Sequence, residues 1–123
     1  MLRTPNPMTQ NTDTLTLADG TEIALDSDGH LQNLNNWSPE VAQQMAEREG
    51  RVLTPAHWEV IELLRDFYTR FEMAPAMRAL VKTARQQLGE EKGTSLYLMS
   101  LFPESPARVA ARLAGLPRPT NCL

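Results

Sequence analysis

The chain has 123 residues, enough for one domain that buries about two-thirds of the surface its unfolded form exposes. Its composition, 41% hydrophobic, 22% charged and 6% aromatic, is that of a globular protein, and a net charge of −3 argues against wholesale polyanion binding. A single cysteine excludes an internal disulfide framework and a cysteine-rich zinc site. No stretch approaches the roughly 18 apolar residues of a membrane span. The opening MLRTPNPMTQNTD lacks the apolar core of a secretory signal, so the reading is a cytoplasmic protein.

Residues 1–12 are polar, carry two prolines and show no periodicity, which predicts a disordered N-terminal extension. In TLTLADGTEIAL, Leu15 and Leu17, then Ile23 and Leu25, alternate around Asp19-Gly20, a favoured turn pair, which predicts a small antiparallel hairpin. DSDG at 26–29 reads as a second turn, because the later ligands of a calcium loop are missing. After Trp37 the pattern becomes helical. Ser38-Pro39 and Thr54-Pro55 each place a capping hydroxyl before a proline at the first helical position, and Gly50 and Gly89 serve as stops.

The spacing predicts helices over 39–49, with Val41, Ala42, Met45 and Ala46 on one face, and over 55–72, with Trp58, Ile61, Leu64, Tyr68 and Phe71. A third helix is predicted to start at Pro75 and run to 88, with Met77, Leu80, Val81, Ala84 and Leu88. A fourth begins near Thr94 and carries Leu96, Met99 and Phe102. A fifth opens at Ser105-Pro106, carries Val109, Ala110 and Leu113, and stops at Gly115. The fold class is mostly α, of α+β type. A compact helical domain over 13–115 has a small N-terminal β-hairpin, and 116–123 form a flexible C-terminal arm.

Most familiar catalytic patterns are missing: no Gly-rich phosphate loop, GxSxG elbow or HExxH zinc motif occurs. His30 and His57 lack metal-ligand spacing, and His57, at the third position of a helix, reads as a capping or core-edge residue. Arg78, Lys82 and Arg85 lie at i, i+4 and i+7 on a helix without acidic residues, so they form either a solvated face or a docking strip for something acidic. From Pro106 onward there are three arginines, Arg108, Arg112 and Arg118, and no acidic side chain. The rest of the chain carries nine basic and fifteen acidic residues, net −6. A basic end sits on an acidic body, and Arg108, Arg112 and Arg118 are read, with Arg78, Lys82 and Arg85, as candidate docking residues for an acidic partner.

The tail LPRPTNCL holds Cys122, the only cysteine, one place from the terminus. Pro117 and Pro119 bias it towards an extended form, which lowers the entropy cost of entering a partner's pocket. The thiolate is the reactive form; the neighbouring terminal carboxylate disfavours it, while Arg118 and a partner's cations favour it. That suits a carrier activated on docking better than a self-sufficient catalyst.

From about Leu15 onward the chain resembles the TusE/DsrC family of sulfur-carrier proteins. The matching segments are NW at 36–37, EG at 49–50, LTPAHWEVIELLRDFY at 53–68, PAMRALVK at 75–82, GEEKG at 89–93, LYLMSLFP at 96–103 and, most specific, AGLPRPTNCL at 114–123. The resemblance implies a helical domain with a hairpin and a mobile C-terminal arm, with Cys122 carrying sulfur as a persulfide. The DsrC branch has a second cysteine eleven positions before the penultimate one. Here Ala111 stands there, so an intramolecular disulfide is unavailable, and the single-cysteine pattern is that of the TusE branch. The implied partners are a TusBCD-like donor complex and an MnmA-like tRNA thiouridylase with its tRNA, for 2-thiolation of the wobble uridine, and no cofactor is implied. Two alternatives stay open: a single-cysteine DsrC-like carrier in cytoplasmic sulfur oxidation, and a regulatory or nucleic-acid-binding module using Arg78, Lys82 and Arg85.

Overall fold

The computed structural model describes residues 13–119. The expected disordered extension, residues 1–12, and the tip of the tail, residues 120–123 with Cys122, lie outside the described residues. Among the described residues the order is β1 (Asp13–Thr16), β2 (Glu22–Leu25), α1 (Pro39–Arg48), α2 (Pro55–Phe71), α3 (Met77–Leu88), α4 (Ser95–Leu101) and α5 (Pro106–Leu113). Short 3₁₀ turns at Leu34–Asn36 and Glu90–Lys92 lie before α1 and α4.

The strands pair antiparallel with Leu15 opposite Ile23, so their alternating apolar residues face the helices. The hairpin loop differs from the sequence expectation. The N–H of Gly20 bonds to the Leu17 carbonyl at 2.9 Å and that of Leu17 to the Thr21 carbonyl at 2.8 Å. This is a three-residue loop, Ala18-Asp19-Gly20, in which Gly20 supplies the positive φ of 90° rather than half of a two-residue turn. The DSDG segment repeats the device. Gly29 bonds back to Asp26 at 3.0 Å with φ 86°, and the chain then pairs Leu31 with Leu25.

Helix boundaries follow the caps. The Ser38 hydroxyl accepts from the Val41 N–H at 3.3 Å ahead of Pro39, and all four apolar residues expected on α1 are buried. At α2 the Thr54 N–H donates to His57 Nδ1 at 3.0 Å, so Nε2 carries the proton and donates to the Leu101 carbonyl at 2.9 Å. His57 thus caps α2 and closes the end of α4, the role its position suggested.

Three helical expectations need correction. Helix α3 begins at Met77, not Pro75, with Ala76 as its extended cap, because Ala74 and Pro75 are buried as a packed link between helices. On α4 the seven residues make only two turns, and the inward positions are Leu98 and Phe102; Leu96 and Met99 are 82% and 44% exposed. On α2, Val60 and Leu63 join Ile61 and Leu64 in the core, while Phe71 in the last turn is 54% exposed and tilts against Phe67 at 4.5 Å.

Helix α5 is the hub. It contacts each of the other four helices, and six of its eight residues are buried. Only Arg108 and Arg112 break its apolar circumference, as a helix surrounded by others requires.

Candidate functional site

The end of α5 leads directly into the tail, and its geometry decides how that tail leaves the body. Gly115 takes φ 76°, its N–H bonds to the Arg112 carbonyl at 3.1 Å, and the Leu116 N–H bonds to the Ala111 carbonyl at 2.9 Å. This is a Schellman ending, which needs a left-handed residue after the cap. Glycine is required twice over here, since a Cβ at 115 would lie 2.4 Å from Trp37 Cδ1. Leu116 is 2% exposed, so packing continues beyond Gly115, and Pro119 is buried as well.

A helix end still leaves carbonyls without partners, and three side chains from distant parts of the chain take them. Trp37 Nε1–H donates to the Leu113 carbonyl at 2.9 Å, and Arg65 Nη1–H donates to the Ala114 carbonyl at 2.7 Å. His30 Nδ1–H donates to the Leu116 carbonyl at 2.9 Å. The Arg65 guanidinium lies 3.9 Å from the centre of the Trp37 ring, a cation–π stack that fixes both donors. Burial lowers the Arg65 pKa, though not its charge. Burial also holds His30 below the ordinary histidine value, against the opposing pull of the Leu116 carbonyl and Asp26. The ring, 2% exposed, is therefore neutral near pH 7 with its proton committed to Leu116.

Two residues further along the tail, Arg118 pairs with Asp28, and with Asp26 at 3.5 Å, both from the DSDG turn. Hydrogen bonding to Arg118 lowers the Asp28 pKa and raises that of Arg118. The turn thus holds both sides of the exit: Asp26 Oδ1 accepts from the His30 N–H at 3.0 Å, and Asp28 meets Arg118.

The sequence-selected residues divide accordingly. Cys122 lies outside the described residues; it follows Pro119 by three positions, so its Cα lies within about 10–11 Å of Pro119. Arg112 is drawn into the fold: its Nη2 lies 2.8 Å from Glu49, and its stem lies over Gly29, where an added Cβ would meet it at 3.2 Å. Glu49 is partly buried, which opposes its charge, yet hydrogen bonds from Arg112 and Arg51 outweigh this and lower its pKa. Arg85 donates to the Gly93 carbonyl at 3.2 Å. Arg78, Lys82 and Arg108 are exposed and have no ion pair or hydrogen bond among the described residues. The basic end expected to act as one patch is thus split, with Arg112 and Arg118 paired within the molecule.

Sequence reasoning did not select His30, Trp37 or Arg65 for the site. The available signals were the places of Trp37 and Arg65 in the matching segments NW and LTPAHWEVIELLRDFY, and the charge of Arg65 next to Leu64 inside an apolar helical pattern; neither pointed to the tail.

The fold defines a class: a small helical body with an N-terminal hairpin whose last helix runs out into a clamped C-terminal segment. The family model described as DsrC like protein matches residues 17–123, and the chain belongs to that family. It is 50% identical over 105 residues to the protein named sulfurtransferase TusE of Sodalis glossinidius (strain morsitans), covering 85% of this chain and 97% of that one. It is 48% identical to the protein of the same name in Escherichia coli (strain K12), over 85% and 96%. Among solved structures it is similar to Allochromatium vinosum DsrC, with TM-score 0.83 and 48% identity over 91% of this chain and 99% of that one. It is also similar to the oxidised γ-subunit of dissimilatory sulfite reductase (DsrC) from Archaeoglobus fulgidus, with TM-score 0.77 and 36% identity over 90% and 100%. The resemblance read from the sequence is borne out.

Proposed function

We propose that the protein is a sulfurtransferase of the carrier type, holding sulfur as a persulfide on Cys122. The observation that carries the reading is the 50% identity, over 85% of this chain and 97% of the other, to a relative named sulfurtransferase TusE. The family model's match through residue 123 supports extending it to the tail. The Cys122 thiolate attacks the outer sulfur of a donor persulfide. The donor's S–S bond breaks, its thiolate leaves, and a new S–S bond forms on Cys122. The acceptor's thiolate repeats the exchange, so sulfur moves without net oxidation and no cofactor enters either step. The donor in this reading is a TusBCD-like complex. The acceptor is an MnmA-like tRNA thiouridylase acting on the wobble uridine, and the relay is cytoplasmic.

The clamped root supports such a role, because a tail held to Pro119 presents its thiol from a defined place on the surface. Incubation with a persulfide donor should add about 32 Da to the wild type, reversibly on reduction. Cys122→Ser should fold and gain nothing; labelling of that variant would exclude the persulfide on Cys122.

The similarity to Allochromatium vinosum DsrC supports a second reading, a DsrC-like carrier in sulfur oxidation. Deletion separates the two. Loss of 2-thiouridine from tRNA favours the first, and loss of sulfur oxidation alone favours the second.

A further inference from the structure

We infer that the surface where α3 and α4 meet beside Pro119 is the docking face for the protein that exchanges sulfur with Cys122. We further infer that this partner presents an acidic rim around an apolar patch. The inference rests on the carrier reading and adds to it a place and a partner chemistry.

Two grooves adjoin on this face. One, of about 330 Å³, is lined by Met77, Met99, Arg108 and Pro119. The other, of about 590 Å³, is lined by Met77, Arg78, Val81 and Lys82. Met77 and Ser95 border both, so they form one continuous depression with Pro119 at one end. Its apolar floor includes Met99 at 44% exposure, and Leu96, three residues earlier on α4, stands 82% exposed. Methionines suit such a surface because their unbranched side chains adapt to a partner's shape.

Charge selects the same place. Of the six cations proposed for docking, three are committed within the molecule: Arg112 to Glu49, Arg118 to Asp26 and Asp28, and Arg85 to Gly93. The other three, Arg78, Lys82 and Arg108, have no such partner among the described residues, and all three line the two grooves. These three cations outnumber the one acidic residue that lines the two grooves, Glu104, and on a chain whose other parts carry excess acid they complement acidic groups on a partner.

Chain length closes the argument. The Cys122 Cα lies within about 10–11 Å of Pro119. A partner that encloses the thiol must therefore bring its surface down around Pro119. An interface of about 800 Å² per partner is roughly 16 Å in radius. Arg78 adjoins Met77, which lines the groove that reaches Pro119, and Lys82 follows one helical turn on, about 6 Å.

The test compares two sulfur sources. Glutathione persulfide should load Cys122 equally in the wild type and in the Arg78→Glu/Lys82→Glu double variant, as read by intact mass. The persulfide-bearing donor complex of the proposed relay should load the double variant about tenfold more slowly at low salt, with the gap closing as salt rises. Arg48→Glu changes charge on the hairpin side, where Arg48 pairs with Asp13, and should load from the complex at close to the wild-type rate. Equal loading of the double variant by the complex would overturn the docking face. Altered loading by glutathione persulfide would also overturn it, by showing that the face acts on this chain's own tail. Normal loading by the complex with slowed delivery only when tRNA is present would assign the cations to RNA instead. Failure of the wild type to load from either source would instead remove the carrier reading itself.

Discussion

Burial changes the chemistry of His30, whose ring bonds to the Leu116 carbonyl at the exit of the tail, and so couples that contact to pH. Its ring is neutral in the fold because burial lowers its pKa from 6.5, so the unfolded chain takes up a proton at higher pH than the folded one does. Its contribution is complete above pH 6.5 and falls away as pH drops from there towards the lowered folded value. The carboxylates with lowered pKa values behave alike in a different window. Asp13, Asp19 and Asp28 contribute above their ordinary 3.8 and lose that contribution below it. Urea denaturation across pH should therefore show two declines, one starting near 6.5 and one near 4. His30→Asn should remove the first while lowering stability overall. An unchanged slope between pH 6.5 and 5 in that variant would place the titrating group elsewhere.

At the scale of elements, α4 shows how a short helix misleads periodic reading. Leu96, Leu98 and Met99 are all apolar and lie within one turn, so the pattern does not say which faces inward. The core contact is made by Leu98, fully buried, with Phe102 one turn on. Leu98→Ala should cost about 2–5 kcal/mol through the cavity it leaves. Leu96→Ala should change stability by less than about 0.5 kcal/mol. Thermal melts of the two variants check this directly, and equal losses would mean that Leu96 is covered in solution. The hairpin loops make a related point. Asp19-Gly20 and Asp28-Gly29 were readable as turns, but the register of each loop was set by the pairing partners, Leu17 with Thr21 and Asp26 with His30.

For the whole molecule, the consequence is a body that ends in a held root and a short reach. Deleting Pro117 and Arg118 removes about 7 Å of reach and the pairs with Asp26 and Asp28. Sulfur transfer from the protein donor should fall at every salt concentration, unlike the salt-sensitive slowing expected from loss of rim charge. Loading by glutathione persulfide should persist. Wild-type transfer by the shortened chain would show that neither the reach nor the clasp of Arg118 matters.

The sequence by itself determined the order of elements, most helix ends, the buried faces of the hairpin and α1, and the tail motif with its family. These rest on local causes: caps, prolines, glycine turns and the period of apolar residues. Only the tertiary structure decided what holds the tail. Trp37, Arg65 and His30 are far apart in the chain, and each serves a backbone carbonyl, which has no side-chain signature for a partner to match. The fate of the basic end was hidden for the same reason. Arg112 finds Glu49 across 63 positions and Arg118 finds Asp28 across 90. A count of charges along the chain cannot separate a cation neutralised by folding from one left for a partner, because that depends on which surfaces the core brings together.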